Sequence, residues 1–243
     1  MTDAAGSHHR TVPGAATPAT APHATDATDE RRLTGSLTIM RDETIGSFLT
    51  RLAARSAVPG GGATGALHAA QAAALLAMVA RYSDGPRHDA ETVGRVSAAA
   101  DGLTDEAVDL AMADSAAFEK VAAAYKLPRD TPDEKAARSK AIAEALGGAA
   151  RPPADLMAAA VRLIGLAEDL LPVANKNVIS DIAAAAAAIT AAAITARVNI
   201  EANLPGIKHE PLAAEFSAIA ALADGVTDRA ERVIAAVREE ISK

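Results

Sequence analysis

The chain has 243 residues, half of them hydrophobic, yet only 2% are aromatic and it contains no Trp and no Cys. Without cysteine there is no disulfide framework, thiolate zinc site, iron–sulfur cluster or thiol nucleophile, which fits a reducing, cytoplasmic setting. A net charge of −7 argues against a nucleic-acid binder, which needs a basic face to release counterions from phosphates.

Residues 1–38 are rich in Ala, Thr, Pro, Gly, His and Asp and carry almost no large apolar side chain before Leu33. Such a segment cannot bury enough surface to offset its ordering entropy. It is expected to be a disordered tail, with the folded domain spanning 39–243 and no catalytic weight on His8 or His9. Met40 stands where apolar periodicity begins, as expected of a dispensable tail or a mis-assigned start. The basic start and apolar core of a secretory signal are missing.

Ile45, Phe48, Leu49 and Leu52 recur at i, i+3, i+4, i+7 and predict an amphipathic helix over 42–56. Val58-Pro59-Gly60-Gly61-Gly62 breaks it, and an alanine-rich second helix is expected from Ala63 to Tyr82. The Ser83-Asp84-Gly85-Pro86 turn leads to a long third helix over 89–125, ended by Leu127-Pro128. Thr131-Pro132-Asp133-Glu134 reads as a capping box that starts a fourth helix, expected to stop at Gly147-Gly148. Pro152-Pro153 opens a fifth that ends before Pro172. A sixth is expected over 176–204, stopped by Pro205-Gly206, and the last over 210–241.

No strand emerges from this pass, because about a quarter of the residues are alanine and Val, Ile and Thr form no long alternating runs. The expected architecture is all-α, an antiparallel bundle of about seven alanine-rich helices with short connections. Alanine faces let helices approach toward the low end of the ~8–10 Å interaxial range. Each alanine buries little area, so burial of a second face against another copy, as a homodimer, is expected. The alanine-rich uncharged run from Ile182 to Ala196 has about 15 residues, short of the ~20 that a bilayer span needs. It reads as a buried helix, and no membrane partner is expected.

Gly60-Gly61-Gly62-Ala63-Thr64-Gly65 satisfies the dinucleotide pattern G-x-G-x-x-G, but that pattern has meaning only after a parallel strand. Here it is a glycine-rich turn feeding a helix N-terminus, whose N–H groups can accept an electron-rich group or simply permit a tight turn. Asn175, Asn177, Ser180, Asp181, Asn199 and Asn203 bracket or lie on the sixth helix. Asp181 and Asn199 share a face of a continuous helix but stand ~27 Å apart along it. They therefore serve opposite ends of a long ligand, two sites of a dimer, or capping roles, with Ser180 or Asp181 at the N-cap. Asp101, Asp105 and Asp109 form a solvated stripe, whereas Asp114 falls out of that register among Ala113, Ala116, Ala117 and Phe118. A carboxylate in apolar surroundings has a raised pKa and can act as acid or base near neutrality, but spacing alone favours surface exposure for Asp114. His68, His88 and His209 have no i+4 His or Glu partner of the kind a metal site uses, and His68 reads as a core or interface histidine.

Taken in order, these segments resemble the cyclodeaminase/cyclohydrolase family, the folate-processing half of bifunctional formiminotransferase-cyclodeaminase. The resemblance spans roughly 42–210. It rests on Phe48-Leu49 before Pro59-Gly60-Gly61-Gly62, on Ala77-Met78-Val79, and on Asp114-Ser115-Ala116-Ala117-Phe118. It continues through Leu127-Pro128 before Thr131-Pro132-Asp133-Glu134-Lys135, then Arg138, Asn175-Lys176-Asn177-Val178-Ile179-Ser180-Asp181, Asn199 and Asn203-Leu204. It implies an all-helical dimer with a folate site associated with the dimer. The implied reaction is conversion of 5-formiminotetrahydrofolate to 5,10-methenyltetrahydrofolate with loss of ammonia. Some stand-alone members instead interconvert methenyl- and 10-formyltetrahydrofolate with water. Two positions depart from the pattern: Ala63 stands where many members have Ser, and His68 lies in a stretch that is usually small. The formiminotransferase half has no counterpart here, so formimino transfer is expected elsewhere.

By this resemblance Gly60, Gly61 and Gly62 shape the folate pocket, and Asn175, Asn177, Ser180, Asn199 and Asn203 bind substrate. Asp114, with Asp181 second, is the expected proton-transfer carboxyl. Arg138, Lys135 or Lys176 is expected to bind the glutamate tail. N10 attacks a carbon of the same molecule, so proximity supplies much of the rate, and no metal or redox cofactor is called for. Three other readings stand beside the cyclodeaminase: a methenyltetrahydrofolate cyclohydrolase, a non-catalytic helical scaffold, and an enzyme of another amidine-bearing metabolite.

Overall fold

The computed structural model describes residues 41–85 and 89–243. The expected tail, His8, His9, Met40 and His88 lie outside them. The described chain is seven α-helices: α1 (Ile45–Leu52), α2 (Gly61–Tyr82), α3 (Ala90–Tyr125), α4 (Pro132–Ala149), α5 (Arg151–Leu170), α6 (Ser180–Asn203) and α7 (Glu210–Ile241). Short 3₁₀ turns, Leu171–Val173, Lys176–Val178 and Leu204–Gly206, join the last three. The described residues contain no strand, so the all-α bundle expected from the sequence is the fold found.

Local chemistry explains most boundaries. Asp89 caps α3 by accepting from the N–H groups of Glu91 and Thr92. The capping box of α4 is complete: the Glu134 N–H donates to Thr131 Oγ1 at 3.2 Å and the Thr131 N–H donates to Glu134 Oε2 at 2.9 Å. His209 caps α7, its Nδ1 accepting from the Leu212 N–H.

Several expected boundaries differ: α1 is Ile45–Leu52 rather than 42–56, and α2 begins at Gly61 rather than Ala63. Gly147-Gly148 does not stop α4, which continues to Ala149. Glycine in a helix costs ~1 kcal/mol but bars nothing; the break falls at Ala150, just before Pro152 and Pro153, which lack N–H donors. Ser180 and Asp181 do not cap α6 either. The 3₁₀ turn at Lys176–Val178 leads through Ile179, itself helical at φ −63° and ψ −28°, so Ser180 is already inside the helix.

The core is made of alanine with a few larger wedges. Leu76, Leu156, Met157, Leu163, Ile164, Leu170, Ile182 and Ile189 are fully buried among rows such as Ala66, Ala69, Ala73, Ala77 and Ala80 of α2. Burying α2 and α6, which pack against each other and against α3, α5 and α7, accounts for their apolar character. By length and hydropathy both are also candidates for a membrane span. Small residues set the spacing: a Cβ on Gly65 would lie 2.6 Å from Thr195 Cγ2 of α6. A second cluster of Ala150, Ala154, Ile200, Ile207, Phe216 and Ala220 fixes the C-terminal end of α6 against the α4–α5 junction and α7. The helix α1 has the expected apolar face but no buried residue, with Ile45 80% exposed.

Candidate functional site

The expected site residues separate to two ends of the bundle. At one end the N-terminus of α2, the C-terminal third of α3 and the C-terminus of α6 converge on a cleft of about 460 Å³. Gly60, Gly61, Gly62, Asp114, Asn199 and Asn203 all line it, with Phe118, Val121 and Tyr125 of α3 and Leu146 and Ala149 of α4 as the apolar wall. The sequence 58–62 folds to bring this about. Pro59 follows a cis peptide bond and is buried, and Gly60 is extended at φ −135° and ψ −157°, immediately before the first turn of α2.

Asp114 is the polar centre of the cleft. It is half-buried, and its carboxylate accepts the N–H of Ala63, one of the first-turn donors that have no partner within α2. The helix end therefore holds an electron-rich group from its own chain, the Asp114 carboxylate. A Cβ on Gly62 would overlap the whole Asp114 carboxyl group, its farthest atom at 2.5 Å; Gly62 is thus the residue that admits Asp114. A Cβ on Gly61 would meet only Asn199 Nδ2, at 4.0 Å, and one on Gly60 nothing within 4 Å. Burial pushes the Asp114 carboxyl above its ordinary pKa, and the Ala63 N–H pulls the other way without cancelling the rise. Spacing alone favours exposure of Asp114, and the structure differs: the α2 N-terminus packs over the side chain and half-buries it. Its stripe neighbours are solvated, Asp105 and Asp109 on Arg41 and Asp101 on Arg81.

Asn199 and Asn203 are fixed by their own helix. Asn199 Nδ2 donates to Thr195 O at 2.8 Å and Asn203 Nδ2 to Asn199 O at 2.7 Å, which holds both amides on the cleft side of α6. Sharing Tyr125 and Leu146 with the cleft is a groove of about 340 Å³ lined by Arg129, Lys135, Arg138 and Lys208. Arg138 lies over the Tyr125 ring, 5.5 Å from its centroid, and donates to the Tyr125 carbonyl.

The remaining expected residues lie at the other end. Asn175 ties the C-terminus of α2 to the turn before α6: its N–H donates to Ser83 Oγ at 2.8 Å and its Nδ2 to Tyr82 O at 2.9 Å. The Asn177 N–H donates to Asn175 Oδ1, and Lys176 pairs with Glu240 at 3.0 Å. With α6 continuous from Ser180 to Asn203, Asp181 stands ~27 Å from Asn199. Within one protomer, Asn175, Asn177, Ser180 and Asp181 therefore reach neither the Asp114 cleft nor a reacting atom in it. Lys176 is likewise outside the basic groove that Lys135 and Arg138 share. His68 is half-buried in an apolar groove beside Phe48, Leu52 and Leu67, its Nδ1 shielded from solvent with no hydrogen-bond partner.

Sequence reasoning missed Tyr125, Arg129 and Lys208. The signal for Tyr125 was its place on the face of α3 that carries Asp114. Arg129 and Lys208 come from a loop and a turn about 80 residues apart, and no local pattern joins them.

Known proteins share this sequence pattern and fold. The family model described as formiminotransferase-cyclodeaminase matches residues 44–221. The methenyltetrahydrofolate cyclohydrolase of Methylorubrum extorquens is 34% identical over 177 residues, covering 72% of this chain and 85% of that one. The formimidoyltransferase-cyclodeaminase of Rattus norvegicus is 32% identical over 166 residues, covering 67% of this chain; this chain matches 31% of the rat protein's length. The crystal structure of formiminotetrahydrofolate cyclodeaminase from Thermotoga maritima superposes with a TM-score of 0.69 at 29% identity, covering 80% of this chain and 96% of that one. The chain belongs to the formiminotransferase-cyclodeaminase family.

Proposed function

We propose that the protein is a folate one-carbon enzyme that converts 5-formiminotetrahydrofolate to 5,10-methenyltetrahydrofolate and ammonia. The observation that carries this reading is the Asp114 carboxyl, held half-buried against the Ala63 N–H in an otherwise largely apolar cleft and shifted toward neutrality by that burial. In the reaction N10 attacks the formimino carbon, the N10–C bond forms, and N10 gives up its proton. The departing nitrogen gains a proton and leaves as ammonia when its C–N bond breaks. Asp114 is the group that relays this proton, a task suited to a carboxyl whose pKa lies closer to the working pH. The amides of Asn199 and Asn203 offer donors and acceptors for the pterin edge. Lys135, Arg138, Arg129 and Lys208 present a cationic groove for the glutamate tail.

A second reading is hydrolysis of methenyltetrahydrofolate, favoured by the M. extorquens relative, which this chain matches over most of its length. The two are separated by supplying each substrate: ammonia release from the formimino compound, or loss of the methenyl chromophore in water. Turnover of the first, abolished in Asp114→Asn, is the expected result. No turnover of either, or full activity in Asp114→Asn, would overturn the reading. The reading includes a homodimer, supported by the exposed apolar faces of α1 (Ile45, Leu49) and α6 (Ile194, Val198), and checked by light scattering. It needs neither metal nor redox cofactor, so a chelator is expected to leave the rate unchanged.

A further inference from the structure

The chain has five aromatic side chains in all, three Phe and two Tyr. Phe216 is buried in the core, Phe48 lies in the α1 groove, and Tyr82 ends α2 at the opposite pole. The other two, Phe118 and Tyr125, both line the Asp114 cleft and remain 47% and 53% exposed. They follow Asp114 on α3 by four and eleven residues, within ~40° of its direction around the helix and roughly 6 and 16 Å farther along it. A chain this poor in aromatics places two of them, half open to solvent, on the wall of the Asp114 cleft, in line with the carboxyl. Beyond Tyr125 the cleft passes into the basic groove, where the Arg138 guanidinium lies 5.5 Å from the Tyr125 ring centroid. The order along the cleft is thus carboxyl, aromatic and aromatic on α3, then the cations of the adjoining groove.

We infer that Phe118 and Tyr125 form a platform on which the aminobenzoyl ring of the substrate lies, so that N10 is turned toward the one-carbon unit at Asp114. This rests on the folate reading of the cleft. The ligand's parts follow the same sequence as the wall: a pterin carrying the one-carbon unit, then a flat benzenoid ring, then carboxylates. Stacking suits the ring because an aromatic face takes a flat π-system without needing a directional partner. The platform also answers a geometric need. Cyclisation requires a flexible bridge to be held bent, and a fixed ring on one side of N10 does that. Phe118 and Tyr125 are substrate-positioning residues in this account.

The test uses the full chain and 5-formyltetrahydrofolate, a reduced folate probe. Because the protein has no Trp, Phe118→Trp creates a single indole reporter at the platform. The expected results are saturable quenching of that indole by the probe, and at least a tenfold rise in Kd for Phe118→Ala and for Tyr125→Ala. Tyr125→Phe is expected to stay within threefold of the parent, and each alanine variant to lose kcat as well as affinity. Helical content and thermal unfolding report whether the alanine variants fold; where they do not, the indole reporter and Tyr125→Phe carry the result. If the parent binds the probe but the indole is unquenched, or the folded alanine variants keep their Kd, the platform is wrong while the folate site stands. If the parent fails to bind the probe at all, the folate reading falls and the platform with it.

Discussion

Gly62→Ala is the sharpest perturbation available, because ordinary helix energetics and the cleft geometry give it opposite signs. Inside a helix, replacing Gly by Ala gains ~1 kcal/mol from propensity. At this position the new Cβ would overlap the whole Asp114 carboxyl group, so the short side chain must swing away and lose the Ala63 N–H. A hydrogen bond to a charged group is worth about 1.5–3 kcal/mol, offset by the propensity gain and by the solvation the displaced carboxylate recovers. The net change in stability is therefore small, on the order of 1 kcal/mol, or about 2–4 °C in Tm for a domain of this size. Activity behaves differently: removing a positioned acid–base group costs about 10²–10⁴-fold in rate. The assay is ammonia release at saturating 5-formiminotetrahydrofolate, run beside a thermal melt. Gly61→Ala is the control, since its Cβ would make only an ordinary contact with Asn199. A Gly62→Ala protein that melts normally and turns over within threefold of the parent would refute the placement of Asp114.

Other predictions follow from neighbouring groups. Burial holds the folded Asp114 above its ordinary carboxylate range, so the stability it confers is complete below that range and is lost as pH rises through the folded value. Asn at 114 does not titrate, and the Tm of Asp114→Asn relative to the parent is expected to climb as pH rises above the ordinary carboxylate value of about 4 and to level off once the folded carboxyl is ionised, as read by melts across a pH series. Lys135→Ala is expected to raise KM about fivefold for an oligoglutamyl folate and less for the monoglutamate, with kcat unchanged and the difference shrinking in salt. Thr131→Ala removes one half of the α4 capping box and should cost about 1 kcal/mol, measured by urea unfolding, without altering the rate.

Much of the fold was written locally. Proline, glycine and capping residues punctuate the chain, so α7 was expected at 210–241 and is found at Glu210–Ile241, and the Thr131 box is present in full. Where a boundary depends on what packs outside the helix, local signals fail. Gly147-Gly148 stays helical, and Ser180 gives up its cap because a 3₁₀ turn leads straight into α6.

The site was legible in the same proportion. Loss of register set Asp114 apart from the solvated stripe, but spacing alone favoured exposure, because its partial burial depends on the α2 N-terminus packed against it; arithmetic on one continuous helix already separated Asp181 from Asn199. That Gly62, among three adjacent glycines, is the one that must lack a side chain is a tertiary fact, since its neighbour Asp114 lies 52 positions away. The basic groove was only half visible for the same reason: Lys135 and Arg138 share α4, but Arg129 and Lys208 join them through folding alone.

The most direct measurement is a crystal structure of the protein with bound 5-formyltetrahydrofolate. The account predicts the N5 substituent within hydrogen-bonding reach of the Asp114 carboxyl, about 2.6–3.2 Å, with the pterin toward Asn199 and the glutamate toward Lys135 and Arg138. A folate bound instead at the Asn175–Asp181 end, with Asp114 untouched, would contradict it.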